Sequence, residues 1–373
     1  MVTKRHKFAV AALALLLAIM IPLILYSCEW IGLDGDNNGV YSDTLKISIY
    51  SHMMDPDVLL EFQKEYKVFL VIDYHDRVDD EYFVEFSDFD LVMVDQFVVE
   101  EFSDSLHPIN HDNISNRRYL DYRVTVMPHD FGLRYSFPMF WGSFGFAYNE
   151  NHYSGLPLSW EYLFRPDIVH RGYISILNDD RYMLGTALLY LGFSPNSTDS
   201  SEVALAAELI TDAKHYYRSI SSKEEMIEMF KDGYISAFPS WSGSATTLKR
   251  TNPNVRFVLP AEGALFFLSS FVILGKSDKY ELAEKFINFN IDPVRIARHT
   301  NYGAFANTIP ESSKFIDRRI IMGPSYINPF ISHSSYSLDA LEPEAIELYK
   351  NVWNSLNPNE FEGFSPPPIF DFN

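Results

Sequence analysis

Short apolar runs alternate with amphipathic segments along most of the chain. Runs rich in β-branched and aromatic residues predict strands at Leu45–Tyr50, Val68–His75, Phe89–Asp95, Phe144–Asn149, Tyr173–Leu177, Tyr234–Pro239, Val255–Leu259 and Phe271–Gly275. Apolar residues spaced three or four apart predict helices at Pro56–Tyr66, Tyr182–Leu191, Ser201–Tyr217, Ser222–Phe230, Lys279–Phe289 and Pro343–Leu356. Strands that alternate with helices indicate an α/β protein with parallel sheets covered on both faces.

The first residues form a separate segment. Three basic residues precede an uncharged apolar run, Phe8–Leu25, and small residues close it. This layout is typical of a secretory signal, and we predict a signal peptide over residues 1–27. The run is also close to the minimum for a membrane span, so an uncleaved signal anchor is the alternative. Both interpretations place the rest of the chain outside the cytoplasm, because basic flanks stay inside.

Cys28, the single cysteine of the chain, lies directly after this segment. Leu25–Cys28 resembles the lipobox of bacterial lipoproteins, in which the cysteine is lipidated, and this predicts a membrane-anchored lipoprotein. Residues 28–43, rich in Gly, Asp and Asn, predict a flexible tether. Within it, Asp34–Gly39 imitates the start of a calcium-binding EF-hand loop, but Leu45 occupies the position that requires a bidentate Glu.

Composition narrows the function of the remaining chain. About 330 residues after the tether are too many for one small core and predict two lobes. The chain is 47% hydrophobic and 16% aromatic, which is typical of a well-packed globular protein, and its formal net charge is −20. Such a surface repels nucleic acid and anionic lipid, and it favours solubility or cationic solutes. We therefore predict no nucleic-acid partner.

Motifs for catalysis and metal binding are absent from the sequence. The chain has no Gly-x-Ser-x-Gly elbow, no His-Glu-x-x-His, no phosphate-binding Gly-x-x-x-x-Gly-Lys-Ser/Thr and no Gly-x-Gly-x-x-Gly. Its histidines are scattered, and the pair His107 and His111 has no further ligand at metal spacing. We predict a binding protein without catalytic residues, metal or cofactor; an exported hydrolase and a surface adhesin are the alternatives.

A resemblance to one family makes the prediction specific. Several segments, in the same order, resemble motifs of bacterial spermidine/putrescine-binding proteins, which are the extracytoplasmic receptors of ABC importers. These segments are Phe89–Val92, Pro138–Gly145, Ser159–Leu163, Gly172–Arg181, Trp241–Ala245, Leu259–Gly263, Ala283–Asn288 and Asp292-Pro293. The resemblance covers roughly residues 44 to 356, and the family's role implies an ABC-transporter permease as partner.

The family's fold is a two-lobed periplasmic binding protein of type II, an α/β fold with a ligand cleft between its lobes. Two crossover strands join the lobes, and here they are expected near Phe140–Tyr148 and Phe266–Gly275. We predict one lobe from residues 44–140 with 270–325, and the other from 141–269 with 326–373. Closure of the lobes around the ligand is expected, since only the closed form contacts the ligand from both sides.

The resemblance also implies a ligand-binding set. Trp241 corresponds to an aromatic wall, Phe267 replaces a second tryptophan, and Asp179 corresponds to a carboxylate that holds an ammonium group. Aromatic faces suit the methylenes and charge of a polyamine, and carboxylates pair with its ammonium groups. The alternative for Trp241 is core packing, and the alternative for Asp179 is a helix cap.

Other positions depart from the family. Tyr182 and Ser269 stand where the family has a glutamate and an aspartate, and the region of His52 replaces a family aromatic–acid motif. A buried ammonium without its carboxylate costs several kcal/mol, so the ligand has fewer charges or another acid replaces the missing ones.

One acid is a candidate for that replacement. Asp95 stands where the family usually has serine, and Phe97 stands where it has tyrosine. We therefore predict that Asp95 restores one lost charge and that the ligand is a polyamine or a related small amine. A different small solute on the same fold is the alternative.

Overall fold

The computed structural model describes residues 41–75, 88–153, 159–327, 335–358 and 361–368. The predicted signal peptide, Cys28 and all but the last residues of the predicted tether lie outside this part of the chain. Residues 43–373 form one compact unit. Within the described ranges, every helix is too short or too polar to cross a membrane.

Twelve strands are present in the described part of the chain. They are β1 (Asp43–Tyr50), β2 (Val68–His75), β3 (Leu91–Asp95), β4 (Leu106–His107), β5 (Ser136–Asn149), β6 (Ile174–Leu177), β7 (Tyr217–Ser221), β8 (Ala237–Trp241), β9 (Val255–Val258), β10 (Ala264–Leu274), β11 (Ala306–Asn307) and β12 (Ser335–Ser337).

Helices connect most of these strands. They are α1 (Pro56–Tyr66), α2 (Gln96–Glu101), α3 (Glu161–Phe164), α4 (Asp180–Tyr190), α5 (Ser200–Ala213), α6 (Lys223–Lys231), α7 (Ser242–Leu248), α8 (Tyr280–Asn290), α9 (Pro293–Gly303), α10 (Arg318–Ile321) and α11 (Pro343–Ser355). Short 3₁₀ helices lie at Ser103–Ser105, His111–Asn113, Ser115–Tyr119, Tyr122–Val126, Pro128–Asp130, Ile168–His170, Lys214–Tyr216, Pro310–Phe315 and Pro324–Tyr326.

One sheet runs through the whole unit in the order β2-β1-β3-β10-β5-β8-β6-β7. The outer pairs, β1 with β2 and β3 and β6 with β7 and β8, are parallel. The central strands β10 and β5 run antiparallel to each other, and each is antiparallel to the neighbour on its other side. The sheet is therefore mixed, where the sequence pattern predicted parallel pairing. This is the predicted α/β fold, and β5 and β10 are its two crossover strands.

Two large hydrophobic cores lie in this unit. One contains Trp160 and Tyr349 and packs around β6 and β8; the other contains Phe62 and Phe286 and packs around β1 and β3. Trp241, at the end of β8, packs against both cores. It is therefore a contact point between the two groups of strands.

The crossover strand β5 (Ser136–Asn149) is much longer than the strand Phe144–Asn149 that the sequence predicted. It contains Pro138, Gly142 and Gly145, although such residues usually interrupt a strand. At Gly145 a Cβ would lie 2.1 Å from the carbonyl oxygen of Val258 on β9, which pairs with β5. The strand continues through this position because glycine permits the close approach of the two backbones.

The predicted helix Ser201–Tyr217 is wrong at its end. The helix α5 stops at Ala213, and Tyr217 begins strand β7. Tyr217 is fully buried, its hydroxyl donates to the carbonyl oxygen of Leu163 at 3.0 Å, and β7 pairs in parallel with β6. Tertiary pairing overrides the local helical pattern here.

Candidate ligand cavity

Three strand ends place the key side chains of one cavity. Asp95 is the last residue of β3, Asp179 follows β6 by two residues, and Trp241 ends β8. All three strands belong to parallel pairs, and in open α/β sheets ligands bind at the carboxyl ends of such strands. All three residues line the same cavity.

The cavity measures about 80 Å³, which is enough for several water molecules because roughly 10–15 Å³ on this measure holds one. Its lining includes seven of the eight residues that the sequence predicted for the site. They are Asp95, Phe97, Asp179, Tyr182, Trp241, Phe267 and Ser269. His52 is exposed and does not line the cavity; its carbonyl oxygen faces Gly303 on α9.

Asp95 is held by hydroxyl groups. Asp95 and Ser269 are direct partners across the antiparallel pair β3–β10, and the Ser269 hydroxyl donates to Asp95 Oδ1 at 3.0 Å. The Tyr182 hydroxyl donates to Oδ2 at 2.8 Å. Asp95 also occupies the N-cap position of α2, but its carboxylate does not cap that helix. The two positions that depart from the family's acids therefore both bind Asp95.

Burial dominates the electrostatics of this carboxylate. Asp95 is only 7% exposed, and desolvation raises its pKa from 3.8 to about 6, although hydrogen bonds from Tyr182, Ser269 and Tyr50 oppose the shift. The nearby Asp179 carboxylate raises the pKa further. Among the described residues that perturb Asp95, none is cationic. A buried carboxylate of this kind favours a cationic partner.

Tyr182 and Tyr50 keep their protons in this environment. Burial raises the pKa of both phenols well above 10, and the neighbouring Asp95 charge raises it further. Both hydroxyls therefore act as donors to Asp95 over the physiological pH range. They stabilise the carboxylate without cancelling its charge.

Aromatic rings surround the acid. The ring of Tyr182 lies 5.3 Å from that of Trp241 and 4.7 Å from that of Phe144, between centroids. On the other side, Phe267 packs edge-on against Phe305 at 5.9 Å, and both rings line the cavity. Phe267 is nearly fully buried, whereas Trp241 is half-buried. The walls therefore suit an aliphatic body.

Asp179 caps a helix, which the sequence analysis gave as the alternative to holding an ammonium group. It also lines the cavity. It is the N-cap residue of α4, and its Oδ1 accepts the Tyr182 N–H at 2.9 Å. Asp179 and its neighbour Asp180 both interact electrostatically with the guanidinium of Arg181. Capping thus fixes the start of α4, and with it the position of the Tyr182 ring.

Arg181 connects the cavity wall to a distant segment. Its guanidinium donates to the Asn196 side chain at 3.0 Å and to the Asp339 carbonyl oxygen at 2.9 Å, and it lies 5.1 Å from the Tyr349 ring centroid. Burial lowers its pKa from the ordinary value. The residue positions the chain around 339 and α11 against α4.

Sequence reasoning missed Tyr50 and Lys223. Both follow the same rule as Asp95, because Tyr50 is the last residue of β1 and Lys223 is the second residue after β7. The predicted end of β1 was a sequence signal for Tyr50, whereas β7 was not predicted as a strand and left no such signal for Lys223. As for metal binding, the described ranges contain no cluster of three or more His, Cys, Asp or Glu side chains suited to a metal ion.

Comparison with known proteins decides the family. The model of the family described as bacterial extracellular solute-binding protein matches residues 89–316, more than half of the chain. The chain belongs to this family. The match spans β3, both crossover strands and Trp241, so it includes most of the cavity described above.

Individual relatives agree with this assignment. A spermidine/putrescine-binding periplasmic protein of Haemophilus influenzae is 23% identical and covers 84% of this chain and 89% of its own. A Listeria monocytogenes protein assigned to spermidine/putrescine ABC transport superposes with a TM-score of 0.80 at 22% identity, covering 86% of this chain and 100% of its own. The Tp0655 (TpPotD) lipoprotein of Treponema pallidum gives a TM-score of 0.74 at 21% identity, covering 84% and 99%. The fold of these relatives is the two-lobed substrate-binding fold, and their role is solute binding for transport.

Proposed function

We propose that this protein captures a small aliphatic amine in the cavity at Asp95 and Trp241, as the extracytoplasmic binding component of an ABC importer. Relatives named for spermidine and putrescine support an amine ligand. Asp95, Asp179, Tyr182, Phe267, Ser269, Trp241 and Phe97 are the proposed binding set. His52 is not kept in this set, because it lies outside the cavity lining.

The observation that carries the proposal is the environment of Asp95. Its carboxylate is 7% exposed, receives hydroxyl groups on both oxygens, and has no cation among the described groups that perturb it. An ammonium group entering the cavity supplies the missing charge and gains a charge-assisted hydrogen bond. Trp241 and Phe267 then cover the methylene chain, with cation–π attraction where the ammonium approaches a ring face.

Binding and closure are coupled in this mechanism. Trp241 packs against both cores, so a ligand held between Trp241 and Asp95 contacts both groups of strands. A ligand that contacts both sides binds the closed form better and shifts the population toward it. The closed form is then the signal that an importer reads.

Export and anchoring complete the proposal. We expect signal cleavage before Cys28 and lipidation of that cysteine, which holds the protein on the outer face of the cytoplasmic membrane. A relative described as a lipoprotein supports this. Metabolic labelling with a fatty acid tests it: wild type takes up label and Cys28→Ala does not. Label in the Cys28→Ala protein contradicts lipidation at this site.

Titration calorimetry with putrescine, cadaverine, spermidine and the mono-ammonium 4-amino-1-butanol tests the ligand class. At least one of these amines is expected to bind with one-to-one stoichiometry and to raise the melting temperature. Asp95→Asn is expected to lower the affinity for that amine by about 10- to 100-fold. This is the range expected for the loss of one charge-assisted hydrogen bond, roughly 1.5–3 kcal/mol.

Asp112→Asn is the matched control, because it makes the same chemical change at an exposed position outside the cavity. It should leave affinity unchanged. Equal affinity in wild type and Asp95→Asn for every amine contradicts the proposed site. No binding of any amine contradicts the ligand class.

A further inference from the structure

Lys223 places a positive charge of the protein inside the cavity. It is the first residue of α6, lines the cavity, and its side chain is only 12% exposed. Its Nζ lies 5.9 Å from the Trp241 ring and 3.1 Å from a carboxylate oxygen of Glu224. The aromatic face expected to meet a ligand ammonium therefore already faces an ammonium of the chain.

Helix stability does not explain a lysine at this position. A cation in the first turn opposes the helix dipole, which favours acids there. The capping box formed by Ser222 and Glu225 is complete without the lysine. A largely buried lysine is uncommon, since its charge is costly to desolvate. Glu224, its ion-pair partner, does not line the cavity, so the cationic end of this pair is the end that lies at the cavity wall beside Trp241.

The other carboxylates near this wall are balanced. Asp179 accepts a backbone N–H, and Asp179 and Asp180 both interact with the buried Arg181. Asp95 differs, because the described groups that perturb it are hydroxyls and one acid. Glu101, Arg181 and Lys350 also line the cavity. At the wall formed by Asp95 and Trp241, Asp95 favours an ammonium and Lys223 repels one.

Resting on the proposed amine function, we propose that the ligand carries a single ammonium group, which binds at Asp95. Lys223 is then a specificity-determining residue that excludes a second ammonium from the Trp241 face. The ligand class is a primary amine whose far end is neutral or anionic. Specificity arises from repulsion of the wrong ligand as much as from attraction of the right one.

Three probes with the same four-carbon body test this proposal: putrescine, 4-amino-1-butanol and 4-aminobutanoate. Their far ends are cationic, neutral and anionic. In calorimetry on the wild type, putrescine is expected to have the lowest affinity of the three, at least tenfold below that of 4-amino-1-butanol. Lys223→Met is expected to raise the affinity for putrescine at least tenfold and to change the affinity for 4-amino-1-butanol less than threefold. Lys231→Met, an exposed lysine at the end of the same helix, should change neither.

The outcomes separate the two proposals. If putrescine binds the wild type at least as well as 4-amino-1-butanol, or if Lys223→Met changes both by the same factor, the role of Lys223 is wrong. Amine function stands in that case as long as Asp95→Asn weakens putrescine. If none of the three probes, nor any longer amine, binds the wild type, the amine function itself fails and this inference fails with it.

Discussion

Replacing Asp95 by asparagine should stabilise the ligand-free protein while weakening amine binding. Burial raises the pKa of this carboxyl from 3.8 to about 6. The folded protein therefore holds the proton more tightly than the unfolded chain, and stability falls as pH rises through this window. Above pH 6 the ionised Asp95 costs about 3 kcal/mol, since each pKa unit corresponds to about 1.4 kcal/mol. The asparagine variant avoids this cost.

The expected gain is smaller than this figure, because an amide accepts the hydroxyls of Tyr182 and Ser269 less well. The pKa of about 6 already includes the hydrogen bonds to the charged form, so only the hydroxyl that the amide NH2 cannot accept adds a cost, about 1 kcal/mol, which leaves a net gain of roughly 2 kcal/mol at pH 7.5. The cost to the wild type falls to about 1 kcal/mol near pH 4.5, where Asp95 is mostly ionised in the unfolded chain and mostly protonated in the folded protein. The advantage of the variant should therefore shrink by about 2 kcal/mol and nearly vanish at pH 4.5.

Urea unfolding of the two proteins at pH 7.5 and pH 4.5 measures both values. Asp112→Asn, the same chemical change at an exposed position, serves again as the control. A variant that is less stable than wild type at pH 7.5 by as much as at pH 4.5 would refute the reasoning, because the burial cost of Asp95 would then be absent. Stability given up for a binding charge is the expected trade at a functional site.

Three further predictions follow from the same structure. Affinity for the amine should fall about tenfold from pH 7.5 to pH 5, as Asp95 protonates through its pKa of about 6, and calorimetry at the two pH values checks this. Gly145→Ala should destabilise the protein by about 2–3 kcal/mol in urea, because its Cβ would lie 2.1 Å from the Val258 carbonyl oxygen; unchanged stability contradicts this packing. Ser222→Ala should cost about 1 kcal/mol by breaking the capping box of α6, whereas Ser222→Thr should retain most of it.

Much of the fold could be predicted from local pattern. Helix Pro56–Tyr66 and strand Val68–His75 have the predicted bounds, because a proline starts the helix and one buried face repeats regularly. The end of α5 could not be predicted, since Tyr217 continues the helical spacing and only its pairing with β6 makes it a strand. The full length of β5 could not be predicted for a similar reason, since Gly142 and Gly145 are needed only because other segments of the chain approach this strand closely.

The candidate site divides in the same way. The resemblance located Trp241, Asp179 and Asp95, and the structure brings them to one cavity. Their binding role stays a prediction. The sequence did not indicate that Tyr182 and Ser269 would donate to Asp95, because the three positions are far apart in the chain and meet only through sheet pairing and helix placement.

Lys223 could not be placed from sequence for a related reason. A lysine in the first turn of a helix is usually solvent-exposed, and its burial against Trp241 depends on the order of strands β7, β6 and β8. The predicted lobe boundaries and the lipidation of Cys28 likewise remain predictions.

The most direct test of amine capture is native mass spectrometry of the purified protein with an equimolar mixture of short amines. We predict a one-to-one complex with an amine in the wild type, and its loss in both Asp95→Asn and Trp241→Ala. A wild type that forms no amine complex, or variants that form it as readily as the wild type, would contradict the proposal that this cavity binds the transported solute.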